Sequence, residues 1–135
     1  METYTKLEVA VRALLQAKER YLQADYVSAT ILAGAGQKIV RDICKSRGIE
    51  PTIKTLSNQS GFTVQEIHNL VVDSYNKMKH ADTDPDGFVN VSEEEPRALM
   101  TLAATDLMRL KEIKSKEIAD FTDFVRMIKG QPQQS

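Results

Sequence analysis

Apolar residues recur at spacings of three and four along almost the whole chain, and no run alternates in the strand manner. That period lays one apolar stripe along each of several helices and leaves no material for a sheet. The pattern therefore predicts an all-α fold: an up-down helical bundle of four long helices plus one or two shorter ones. The first helix is expected from about Thr5 to Gln23, with Leu7, Val11, Leu14, Leu15 and either Tyr21 or Leu22 facing inward. Asp25 is placed to cap a second helix that runs to about Arg47 and stops at Gly48.

The second helix is rich in small residues: Ser28, Ala29, Ala33, Gly34, Ala35 and Gly36. Each glycine inside a helix costs about 1 kcal/mol relative to alanine. Retaining two implies that another backbone approaches closely, so this helix is expected at the centre of the bundle. Its other side carries Lys38, Arg41 and Lys45, which reads as a solvated basic face, with an anion site as the lesser alternative. A connecting segment starts at Glu50-Pro51, and Asn58-Gln59-Ser60-Gly61 reads as a loop. Thr63 and Glu66 have capping-box spacing for a further helix ending near His80, with Val64, Ile67, Val71, Ser74, Tyr75 and Met78 inward. Ser92 and Glu95 repeat that spacing before a helix to about Ile113, and a last helix follows a break near Ser115 and ends near Lys129. One domain over 1–129 and a disordered tail over 130–135 complete the expected organisation.

With 135 residues the chain can bury an ordinary core. Its net charge of −1 provides no general attraction for nucleic acid, and no DNA partner is expected. The single cysteine, Cys44, lies in an apolar helical pattern, which suggests a reducing compartment. No apolar stretch reaches the roughly 18 residues of a membrane span, and the charged start METYTKLE lacks a signal-peptide core. A soluble, cytoplasmic protein with no membrane partner is the expectation.

Two motifs meet between Tyr75 and Glu95. Asn69, Asp73, Asn76 and His80 follow one another at four, three and four, so they form one polar stripe on their helix. After it come six acids (Asp82, Asp84, Asp86, Glu93, Glu94, Glu95) and no base. The acids match the twelve-residue calcium loop, with Asp82, Asp84, Asp86, Phe88 through its carbonyl, Asn90 through water and Glu93 as ligands. Against that reading, Pro85 cannot take a positive φ at a position where the loop often needs one. Glu94 stands where the exit helix normally begins apolar, and no second loop is present to pair with the first. The competing reading is an acidic turn whose glutamates meet the positive end of the next helix. Calcium is therefore the one cofactor to consider, and it is not favoured.

Ala24-Asp25-Tyr26 with the alanine-rich helix after it, and the ending Asn76-Lys77-Met78-Lys79-His80-Ala81, resemble the second and fourth helices of the HEPN superfamily of small helical bundles. The resemblance covers roughly residues 5–110 and extends to small bacterial proteins with an LAGA…KHAD layout. It implies a dimeric bundle and, in many members, metal-independent RNA cleavage by an arginine and a histidine. Carried over, His80 is the histidine and Asn76 the polar residue after the arginine, while Lys79 is the cation nearest in sequence. The arginine position falls on Tyr75, Ser74 or Asp73, none of them basic, and the helix-two glutamate of active members falls on Gln37. A guanidinium at that place would stabilise the extra negative charge of the cleavage transition state, and tyrosine cannot. The expected function is thus a non-enzymatic binding or interaction module using Asn69, Asp73, Asn76 and His80, with a homodimer, a protein partner or RNA as its associates. The alternatives are a toxin-like endoribonuclease using His80, Asn76 and Lys79, and a calcium-binding module.

Overall fold

The computed structural model describes residues 1–111 and 115–129, without the side chains of 70–74 and 129. The described residues form the α-helices α1 (Lys6–Leu22), α2 (Tyr26–Ser46), α3 (Thr52–Ser60), α4 (Val64–Lys79), α5 (Glu94–Arg109) and α6 (Lys116–Lys129), in that order. No strand occurs among the described residues. No helix among them is long and apolar enough to cross a membrane. The tail 130–135 and the expected helix end near Ile113 fall outside the described residues.

Local chemistry sets most helix ends. Thr5 and Glu8 form a capping box at the start of α1, with Glu8 N–H donating to Thr5 Oγ1 over 3.0 Å. α1 and α2 both stop in a Schellman arrangement. At the first stop Asp25 N–H donates to Arg20 O and Ala24 N–H to Tyr21 O; at the second, Ile49 N–H donates to Cys44 O and Gly48 N–H to Lys45 O. The left-handed residue is Gly48 in one (φ 70°) and Ala24 in the other (φ 58°), so only the second stop is free of Cβ strain. Asp25 then caps α2 by accepting from Ser28 N–H. Before α5 the expected box forms in altered shape: Ser92 N–H and Oγ both donate to Glu95 Oε2, while Ser92 Oγ accepts from Glu94 N–H.

The core is closed by α1, α2, α5 and α6. Leu14, Ala33, Val40, Leu99, Met100, Leu107, Phe121 and Ile128 are among its fully buried members. Tyr21 is the inward residue at the end of α1, and Leu22 points to solvent. Among the described side chains, α3 adds nothing to this cluster, and α4 touches it through the half-buried Tyr75. Val64 and Met78 are half-buried and Ile67 is buried, whereas Val71 and Ser74 belong to the side chains outside the described set.

Both glycines of α2 sit at close approaches. A Cβ on Gly36 would meet Leu14 and, at 3.1 Å, the carbonyl oxygen of Ala10, so the α1 backbone lies against it as the small-residue run implied. At Gly34 the neighbour is an aromatic ring instead: a Cβ there would lie 2.5 Å from Tyr75 Cδ2.

Residues 58–60, expected as a loop, form the last turn of α3, which ends at left-handed Gly61. The reason is tertiary. Pro51 offers no capping side chain, and Asp106 of α5, only 1% exposed, takes over: its Oδ1 accepts from Thr52 N–H (2.7 Å) and Thr52 Oγ1 (2.6 Å). Arg109 adds a hydrogen bond of 2.6 Å to Glu50 O and one of 3.0 Å to Thr55 Oγ1. These partners lie more than fifty residues apart in the chain, so local propensity carries no trace of them.

Candidate functional site

α4 brings the polar stripe to the acidic loop. Thr63 and Glu66 fix its start through a complete capping box, and His80 is its C-cap. The carbonyl of His80 accepts from both Thr83 N–H (3.2 Å) and Thr83 Oγ1 (2.9 Å). That pair of bonds folds the chain back on itself directly after the helix. A second turn follows, in which Gly87 N–H donates to Asp84 O over 3.2 Å. Gly87 does not occupy the left-handed region; its missing Cβ makes room for the Asp84 carboxylate lying over it.

The two turns enclose a cavity of about 570 Å³ lined by Asn76, Lys77, His80, Thr83, Asp84, Gly87, Phe88 and Val89. That volume falls within the range of ordinary ligand pockets. His80 is exposed, Asn76 is half-buried, and Phe88 stands 97% exposed at the rim. The lining offers an imidazole, an amide, a hydroxyl, a carboxylate, one lysine and an apolar edge, but no arginine.

Of the residues read from sequence, the structure gathers Asn76, His80, Asp84 and Phe88. Asn69 is exposed two turns earlier, where its Oδ1 accepts from Gln65 Nε2 at 2.8 Å. The side chain of Asp73 lies outside the described residues. Lys79 does not line the cavity; its ammonium rests over the Tyr75 ring, 4.7 Å from the centroid. Tyr75, at the arginine position of the HEPN resemblance, lies against Gly34 and is absent from the lining. Thr83 is the lining residue that no sequence motif points to. A hydroxyl three residues past a helix C-cap is the signal that could have marked Thr83, since it can reach back to the cap carbonyl.

The proposed calcium ligands are not gathered. Among the described residues no three His, Cys, Asp or Glu side chains stand close enough together to hold a metal ion. Glu93, the bidentate residue of the pattern, instead faces Arg97 one turn on, 3.7 Å away. Arg97 in turn donates to Tyr21 Oη through Nε (3.2 Å) and Nη2 (2.9 Å), tying the start of α5 to the end of α1.

Two other reactive side chains have settled surroundings. Cys44 is buried, its thiol donates to Asp106 O over 3.6 Å, and burial followed by the nearby Asp106 charge pushes its pKa up to about 11. A thiol in that state is a poor nucleophile. His68 is half-buried with Nδ1 fully enclosed. Burial first, and then the positive charges of Arg41 and Lys79, hold its pKa below the usual histidine value.

No family model, no curated protein and no solved structure matches this chain.

Proposed function

We propose that the protein is a non-enzymatic binding module, an up-down bundle of HEPN-like type whose docking site is the cleft between the end of α4 and the acidic loop. The convergence of Asn76, His80, Asp84 and Phe88 on one cavity is the observation that carries this reading. An exposed aromatic at the rim is the usual anchor of a protein contact, and the amide, imidazole and carboxylate behind it supply orientation. The occupant is a protein segment presenting an apolar side chain to Phe88 and Val89 and a cation to Asp84.

Cleavage of RNA would need positive charge at the reacting phosphate. The cleft instead lines itself with Asp84 as well as His80, its lining has no arginine, and Lys79 lies outside it over the Tyr75 ring. These features favour binding over phosphodiester chemistry.

The test pairs two measurements. Purified protein is incubated with RNA in chelator, and protein partners are captured from cell extract with the parent chain and with Phe88→Ala. Intact RNA, together with a partner whose affinity falls about tenfold or more in the variant, supports the reading. RNA cut without metal, in a manner that His80→Ala abolishes, replaces it with the ribonuclease. A calorimetric titration showing one calcium per chain, lost in Asp82→Ala, replaces it with the cation-binding module.

A further inference from the structure

Away from the cleft, the seam between α2 and α4 contains polar groups with unmade hydrogen bonds. Gly34, Gln37 and Arg41 follow at three and four, so they share one stripe of α2. The Tyr75 ring on Gly34 lays α4 along that stripe. Seven residues earlier on α4 stands His68, and seven residues later on α2 stands Arg41, whose charge weighs on His68. The two helices therefore run antiparallel, with Gln37 on the stretch of α2 between the two contacts.

Among the described side chains of this stretch, Gln37, His68 and Arg41 have capacity left over. Gln37 is 2% exposed and its Nε2 has no hydrogen-bond partner. The enclosed Nδ1 of His68 has none either. Arg41 is half-buried and makes no hydrogen bond or ion pair with a described residue. Lys79, resting on Tyr75, adds a second positive charge that reaches His68. The neighbouring acid, Asp42, is committed to Lys38 at 2.9 Å on the outer side of α2. Leaving a buried donor unmade costs about 1–3 kcal/mol, so such groups usually mark a place where something else binds.

We infer that the α2–α4 seam is a binding site for a small oxyanion, held by the Gln37 amide, the Arg41 guanidinium and His68, with Lys79 supplying long-range attraction. Donors and two cations, with no free acid among the described side chains beside them, are the set that recognises phosphate or carboxylate oxygens, and arginine favours them through its planar fork. This site shares no residue with the α4–loop cleft, so the two proposals stand or fall separately.

The experiment follows the His68 ring resonances by NMR while inorganic phosphate is added at constant ionic strength, with acetate in a parallel series. Phosphate should saturate a single site, move the His68 signals and raise the pH at which His68 titrates. Arg41→Gln should weaken this binding about tenfold, the effect of losing one charged hydrogen-bond donor. Lys38→Gln, on the same helix but outside the seam, should leave it unchanged. An acetate response that also needs Arg41 would extend the ligand class to carboxylates, and a response to phosphate alone would restrict it to doubly charged anions. Unmoved His68 resonances in both series, or equal binding by Arg41→Gln and the parent, would overturn the proposal.

Discussion

Phe121 and Leu14 are fully buried in an apolar cluster contributed by α1, α2, α5 and α6. Gln37 and His68, where α4 lies on α2, are enclosed too, but with polar atoms that have nothing to bond. The first region is closed by the hydrophobic effect acting on complementary shapes. In the second the Tyr75 ring rests on Gly34, and the neighbouring α3 is held to α5 by the Asp106 carboxylate at its start and by Arg109 on Glu50 and Thr55. Among the described side chains, α3 and α4 meet the core through these few contacts, while α1, α2, α5 and α6 share its apolar cluster. The loop cleft lies at the end of α4, and the seam site lies where α4 meets α2 and polar atoms remain unbonded.

Truncating each region tests that contrast most directly. Phe121→Ala should destabilise the protein by about 3–5 kcal/mol in urea unfolding, the usual cost of emptying a core aromatic site. Ile67→Ala, in α4, should cost about 2 kcal/mol or less, at the low end for such truncations. Equal losses would mean that α4 is as integral as α6.

Asp106→Ala should cost about 2–3 kcal/mol, because it removes a helix cap and strands the Thr52 donors. Amide exchange should then speed up across α3 before it does so in α1 or α2. Uniform acceleration would place Asp106 in the core's own energetics instead.

Gly34→Ala forces a methyl group into the Tyr75 ring and should cost about 1–3 kcal/mol as overpacking. In Gly34→Ala/Tyr75→Ala most of that penalty should vanish, and additivity of the two changes would show that the ring is not what the glycine accommodates.

Ala24→Gly relieves a left-handed alanine and should stabilise by about 0.5–1 kcal/mol, since the strain removed exceeds the entropy added to the unfolded chain. The gain is read from the urea midpoint.

The smallest expected effect is on pH. His68 has a lowered pKa in the folded state, so the unfolded chain binds more protons in the window below the ordinary histidine value of about 6.5. Stability should therefore be level above that window and decline as pH falls from 7.5 to 5.5. His68→Leu should flatten the decline, and an unchanged slope would assign it to other groups.

Much of this protein follows from local patterns. The spacing of apolar residues placed α1, α2, α4 and α5 close to where they lie, because an amphipathic helix is written in its own period. Thr5–Glu8, Asp25, Gly48 and Thr63–Glu66 set helix ends through bonds spanning three to five residues, so the chain states them directly. The glycines of α2 announced a close approach, though not that a tyrosine would make one of the two contacts.

What the sequence could not state were the meetings between distant residues. Asp106 reads as one polar position on an amphipathic helix until Thr52 is brought against it, and residues 58–60 read as a loop until that anchor extends α3. Asp82 to Glu93 satisfy a calcium pattern as a string, yet the turn at Gly87 and the contact of Glu93 with Arg97 direct the carboxylates apart. His68 reads as a surface histidine until Arg41 and Lys79 are beside it. Periodicity decides which face of a helix is apolar, because that depends on neighbours three and four residues away. Only the tertiary structure decides which polar groups share a buried space, because that depends on how whole helices are set against one another.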